Sequence, residues 1–360
     1  MRKMKYMTGV VAAVLLATAC KKDDITPPID KTTLPRTMAA FIQNNYDLSL
    51  LNAALQKTGL YDTLAQAGAY TFFAPDNNAF AAIGIGSVAQ INSMNTDSLR
   101  HQLRYHLLRN RYFVASFPSQ IGYSYTSATG EPLYASASNL YGSSADNRQL
   151  FINGAMVYNG AKRNIALANG VIHLVSKPLQ YHAGTVQEYI TRDTSLSLFA
   201  AAMQRFNLWD GLQNNSKVTV FVPDNAAFRR YGLTQDSIAR MNPASYQDLA
   251  FGVYPLLLKA RHIFSTDSWQ ITSEQYGPNG IYFGNYVVTP EYQYNGNNNT
   301  ENATVSVSYL DVNGFYQPND KGPGAARYKG GSAKGADHLT GNGIVHVIDD
   351  LLFYPELLKK

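Results

Sequence analysis

Cysteine and charge are both scarce. The 360-residue chain has a single cysteine, Cys20, so no internal disulfide and no multi-cysteine metal site can form. Charged residues make up 15% of the chain, which leaves a folded surface to rely on Asn, Gln, Ser, Thr and Tyr. The formal net charge is +5, but Arg2, Lys3 and Lys5 lie in a segment expected to be removed, and without those three the balance is +2. No run of Lys and Arg in the remainder could neutralise a line of phosphates, so a nucleic-acid partner has no support. His-Glu-x-x-His and calcium-loop patterns are missing and the seven histidines are scattered. Neither a metal nor a cofactor is expected.

What is plentiful points to a packed chain. A hydrophobic share of 45% with 25 tyrosines excludes a disordered polymer. The length exceeds the roughly 300 residues at which a single core stops growing, so two domains are expected.

The N-terminus reads as an export signal. Basic residues precede an apolar run from Met7 to Ala19 and the small-residue string Leu-Ala-Thr-Ala-Cys ending at Cys20, the order of a secretory signal peptide. Thirteen residues are too few for the ~20 that a membrane-spanning helix needs. The string resembles a bacterial lipobox, with Leu16 one place early and Ala17 in the usual apolar position, and the resemblance implies lipid attachment at Cys20. Residues 1–19 are therefore expected to be cleaved. Residues 20–35, with Pro27, Pro28 and Pro35, are expected to form an extended tether. The tract Lys21 to Asp24 resembles signals that send lipoproteins to the outer face of Gram-negative cells, and a solvated charge run is an equal reading. The expected placement is the outer membrane, held by the lipid anchor and facing the cell surface, with the periplasmic face as the other possibility.

An internal repeat organises the rest. Thr71 to Phe80 reads TFFAPDNNAF and Thr219 to Phe228 reads TVFVPDNAAF, identical at seven of ten positions. A second pair follows in the same order, NGVIHLVSKPL from Asn169 and NGIVHVIDDLL from Asn342. Each first box reads as a short strand stopped by Pro75 or Pro223, then Asp-Asn able to cap a helix that buries Phe80 or Phe228. Each second box opens with Asn-Gly, a pair suited to positive backbone angles in a tight turn, and runs into a β-branched strand expected to close its sheet.

These boxes, with Pro75, Asn77, Phe80 and His173 in one repeat and Pro223, Asn225, Phe228 and His346 in the other, resemble the two signatures of the fasciclin domain. The resemblance covers 36–182 and 183–360. It implies an α+β fold of two tandem domains, each a β-sandwich-like wedge with packed helices. It also implies adhesion or matrix and partner binding without catalysis.

Candidate binding residues fall in two places. Leu99, Leu103 and Leu107 recur at helical spacing, with His106 on the same face. Tyr105-His106 matches a pair used in integrin recognition by animal members of the family, while the spacing favours a buried, hydrogen-bonded His106. In the second repeat Pro255, or Leu256 with one gap, takes the place of His106. His173 and His346 sit among apolar neighbours, and no carboxylate pair recurs beside them, so no catalytic group is expected. The second repeat is longer between its boxes, 121 positions against 96. Residues 273–335 hold eight Tyr, nine Asn and ten Gly. Tyrosines alternating with small polar residues, Tyr286, Tyr292 and Tyr294 among them, suit sugar rings or protein surfaces, although a hairpin with a mobile polar tip and a Gly-rich loop is the favoured reading. The expected function is a surface-tethered module binding an extracellular protein. The second reading is a glycan-binding accessory to carbohydrate uptake.

Overall fold

In both repeats the first box folds by the same local rules. Tyr70–Pro75 and Val218–Pro223 are strands ending on proline, which has no N–H with which to extend a ladder. The next residue caps a helix. The carboxylates of Asp76 and Asp224 accept the N–H groups of Ala79 and Ala227, each at 2.8 Å, opening helices Asn77–Ala82 and Asn225–Arg230. Asn77 Oδ1 accepts the Leu50 N–H and its Nδ2 donates to the Tyr46 carbonyl. Asn225 does the same with Leu198 and Thr194. Phe80 and Phe228 are buried beneath these ties.

This computed structural model describes residues 36–138, 148–256, 262–267, 281–295 and 300–360. Cys20 and the expected tether lie outside them. Arg36–Lys360 forms one compact unit.

The second boxes form strands Gly170–Val175 and Gly343–Ile348, but they do not close their sheets. Each runs parallel to its first-box strand at the sheet centre. The order is Leu107–Arg109, Tyr70–Pro75, Gly170–Val175, Ile165–Leu167 in the first repeat. In the second it is Pro255–Leu256, Val218–Pro223, Gly343–Ile348, His338–Thr340, Tyr181–His182. A parallel strand covered on both faces explains the unbroken apolar run.

The Asn-Gly pair also works differently from the expected tight turn. Neither glycine has a positive φ. A side chain on Gly170 would collide with the Tyr70 carbonyl, and one on Gly343 with that of Val218, so glycine is needed for close strand approach. The asparagines are anchors. Asn169 Nδ2 donates to the carbonyls of Leu64 and Gln66 while its Oδ1 accepts the Met38 N–H. Asn342 donates to Leu212, Gln213 and Asn215 and accepts from Val186.

Strand alternation divides the core of the first repeat. Phe72, Ala74, Ile172 and Leu174 pack with the helices, whereas Phe73 and Val175 face a second sheet with Phe117, Leu133, Leu150 and Ile152. That second sheet comprises Tyr123–Thr126, Pro132–Ser138, Gln149–Ile152 and Ala155–Met156. Helices, central sheet and second sheet together make the α+β architecture. In the second repeat the same position in the chain is taken by Ile281–Phe283, Tyr286–Asn295, Thr300–Leu310, Tyr316–Pro318 and Ala325–Arg327. Val288, Val305 and Val307 from this sheet enter the core. The Tyr-rich region is therefore core-forming and more than a polar hairpin.

Helix Thr96–Tyr105 stops before Leu107, which was expected to continue its stripe. Leu107 instead begins the edge strand antiparallel to Tyr70–Phe72, residues within Tyr70–Pro75. No helix among the described residues is long and apolar enough to cross a membrane.

Candidate functional site

The repeats are joined by a built seam. Tyr181 and His182 pair in parallel with Leu339 and Thr340, so the chain leaving the first repeat is a strand of the second repeat's sheet. Tyr134 and Tyr181 pack against the buried cluster Phe264, Leu339 and Ile344. Beside this apolar contact, Lys177 Nζ lies 2.5 Å from Asp337 Oδ2, with the two side chains only 6% and 1% exposed. Ser265 donates its N–H (2.7 Å) and its hydroxyl (2.6 Å) to the same carboxylate. A side chain on Gly154 would run into that carboxylate, so the glycine lets the first repeat close over it. Burial alone would raise the Asp337 carboxyl, but Lys177 and then His346 outweigh it and hold it below its ordinary value.

The box histidines are all engaged within the fold. His173 Nδ1 accepts the Asn164 N–H at 3.3 Å and its Nε2 lies 2.9 Å from the Tyr112 carbonyl. His346 Nδ1 accepts the Asp337 N–H at 3.2 Å and its Nε2 lies 2.9 Å from the Ile263 carbonyl. In both, the accepted N–H places the proton on Nε2. Each ring also stacks on the box phenylalanine, Phe73 at 5.8 Å or Phe221 at 5.0 Å. Burial holds His173 down to about 4, so its ring is neutral at pH 7, and burial lowers His346 in the same direction.

Tyr105 and His106 are each 1% exposed. His106 accepts the Leu179 N–H at Nε2 (2.9 Å) and lies 2.8 Å from the Gln102 carbonyl through Nδ1; burial holds it down to about 4. The Tyr105 hydroxyl donates to the Pro132 carbonyl at 2.7 Å and accepts from Asn153 Nδ2 at 2.6 Å. Neither ring is offered to a macromolecular partner in this state. In the second repeat Tyr254 is buried likewise, accepting the Leu352 N–H, and Pro255 stands in the edge strand.

A cleft of about 590 Å³ opens beside Tyr105. Its walls are the outer side of helix Thr96–Tyr105, with Ser98, His101 and Gln102, and the seam segment Gln180, Tyr181 and His182. His182 Nε2 and Glu131 Oε2 are buried with no hydrogen-bond partner, and Glu131 Oε1 lies 3.0 Å from His101.

The tyrosine candidates separate. Tyr286 is half-buried, donates to Asp320 Oδ1 at 2.9 Å, and packs edge-on against Phe353 with ring centres 5.1 Å apart. Its backbone pairs with Tyr309. The strand also carries Tyr292 and Tyr294, opposite Ala303 and Glu301; their side chains lie outside the described residues. The structure therefore gathers Tyr105 and His106 near the seam and leaves Tyr286 elsewhere, tied to its own chain. Sequence reading missed Lys177, Asp337, His182 and Gln180. A signal for Asp337 was available: it stands nine residues before His346, as Asn164 stands nine before His173, so a carboxylate replaces a repeated amide.

The duplicated anchors, caps and stacked histidines account for the residues of a domain signature, and a family model for the fasciclin domain matches residues 46–181 and 194–251, more than half of the chain. The chain belongs to the fasciclin-domain family. The second match ends at 251, ahead of the Tyr-rich sheet. Among relatives, the chain is 25% identical over 230 residues to transforming growth factor-beta-induced protein ig-h3 of Sus scrofa, covering 62% of this chain and 32% of that protein. It is 23% identical over 172 residues to periostin of Homo sapiens, covering 45% and 18%. It is 28% identical over 142 residues to protein sll1483 of Synechocystis, covering 39% and 71%. The chain thus spans a third or less of the first two relatives. A FAS1 domain pair from the insect cell adhesion molecule fasciclin I covers 86% of this chain and 97% of its own at 15% identity and a TM-score of 0.36; the family assignment does not rest on that likeness. Fasciclin domains are modules of adhesion and matrix proteins.

Proposed function

We propose that this fasciclin protein is a lipid-tethered binding module of the outer membrane, attached through Cys20 and turned toward the cell surface to hold an extracellular partner. The observation that carries the binding reading is the use of the box residues. His106, His173 and His346 have both ring nitrogens engaged with backbone groups, so none can move a proton without breaking the scaffold. These three histidines serve the scaffold, which supports binding over catalysis. The tether reading is supported by the order of basic, apolar and small residues ahead of Cys20. The glycan reading of the Tyr-rich region is weakened by Tyr286, whose hydroxyl and ring are occupied within the fold.

The test is fractionation and surface proteolysis of native cells carrying the wild-type chain or Cys20→Ala. The wild type should partition with outer membranes and be cut by external protease, and the variant should move to the soluble fraction. Protection of the wild type until the outer membrane is opened would overturn the surface placement. A membrane-bound variant would overturn the anchor.

A further inference from the structure

The cleft beside the seam has a chemistry of its own. Asp97 is held by Arg100 at 2.6 Å, and His101 faces Glu131 at 3.0 Å, so the charges around the opening are locally paired. Arg100 also donates to the Thr58 carbonyl. An anionic ligand such as a phosphate finds no unengaged cation among the described walls, and a cationic ligand no unpaired carboxylate cluster. What remains are polar groups without net charge: the Ser98 hydroxyl, the Gln180 amide, the Gln102 amide, whose nitrogen also donates to the Leu179 carbonyl, and the His101 ring beside Glu131. Beside them stands the half-buried ring of Tyr181. The volume of about 590 Å³ lies within the roughly 300–1,000 Å³ of small-ligand sites, which favour junctions between domains.

We infer that this cleft binds a neutral sugar chain, with the apolar face of one pyranose ring on Tyr181 and its hydroxyls on Ser98, His101, Gln102 and Gln180. Vicinal hydroxyls each donate and accept, matching a wall of amides, hydroxyl and imidazole, and the flat C–H face of a pyranose matches a tyrosine ring. His182 Nε2 behind that wall is buried with no hydrogen-bond partner. The second repeat has no equivalent among the described residues: its counterpart helix is the four-residue Leu249–Gly252, and the groove there is lined by Gln247, Asp248, Leu249, Val253 and two glycines, with no aromatic ring. The inference rests on the binding-module reading and names its ligand class, but it does not depend on the lipid at Cys20.

The experiment is calorimetric titration of the unlipidated chain, residues 21–360, with maltohexaose, cellohexaose, laminarihexaose and xylohexaose. At least one hexaose should bind. The double variant His101→Ala/Gln102→Ala should weaken that affinity by roughly tenfold or more, while its circular dichroism spectrum stays that of the wild type, since the two side chains tie only to Glu131 and to the Leu179 carbonyl. Gln180→Ala should weaken it less. Tyr292→Ala/Tyr294→Ala should leave it as it was. No heat from any hexaose up to about 10 mM overturns the inference, as does an affinity that follows the tyrosine pair and ignores the cleft. Conversion of a hexaose to shorter products would instead overturn the binding-module reading itself.

Discussion

Nine places before the second-box histidine, the first repeat has Asn164 and the second has Asp337, both at positive φ. Asn164 accepts the Val114 N–H at 2.8 Å and has only its own repeat to satisfy. Asp337 accepts from Ser265 in the same way and also takes Lys177 from the first repeat. Around this position the scaffolds match contact for contact: the Asp76 and Asp224 caps, the Asn77 and Asn225 ties, the Asn169 and Asn342 anchors and the stacked histidines. Duplication preserved these ties within each domain, and the exchange of Asn164 for Asp337 falls where one domain meets the other.

That contrast can be broken at its centre. Asp337→Asn makes the second repeat like the first and leaves the Lys177 ammonium buried without its counter-charge, which should cost about 3–5 kcal/mol in urea unfolding. Lys177→Met combined with Asp337→Asn should recover most of it, since no buried charge then remains. If the single variant were as stable as wild type, the ion pair would not hold the seam.

The shared anchors should respond with the same sign. Asn169→Ala orphans the buried Met38 N–H and Leu64 carbonyl and should lose about 2–4 kcal/mol by the same assay, and Asn342→Ala, whose partners are part-buried or exposed, should lose stability in the same direction by a smaller amount. A large loss in one and none in the other would deny that the second boxes play the same part.

Acid should reveal the unmatched histidine. His106 and His173 are held near 4 by burial, below the ordinary ~6.5. The unfolded chain therefore binds more protons between those values. Stability is fully present above about 6.5 and falls as pH drops toward about 4, at up to ~1.4 kcal/mol per pH unit for each such histidine. His106→Leu, a change toward the apolar second repeat, should remove one of these titrations and flatten the slope measured by urea unfolding across that window. The smallest effect belongs to the turn between strands Thr300–Leu310 and Tyr316–Pro318. Val312 is 97% exposed, and Val312→Ser should change stability by less than about 0.5 kcal/mol.

Much of this was legible in the chain because it is local. Strand, proline, Asp cap and buried Phe80 or Phe228 occupy ten consecutive residues and follow from backbone rules alone. The burial of His106 followed from its place among Leu99 and Leu103, even though the helix ends at Tyr105 and Leu107 belongs to a strand. The Asn-Gly pairs were visible, but their reason was not, because the carbonyls that forbid a side chain on Gly170 and Gly343 lie on strands about a hundred or more residues earlier. The Tyr-rich region read as an appendage because its buried Val288, Val305 and Val307 are separated by polar residues, and only pairing shows that they share a face. Lys177 and Asp337 stand 160 positions apart, and no local pattern joins them. The cleft depends on that seam, so it too was hidden.

The seam makes the two fasciclin repeats one cooperative body. Differential scanning calorimetry of residues 36–360 tests it most directly. The account predicts a single transition whose calorimetric and van't Hoff enthalpies agree, separating into two when Asp337→Asn loosens the seam. Two well-resolved transitions in the wild-type chain, unmoved by that substitution, would contradict it.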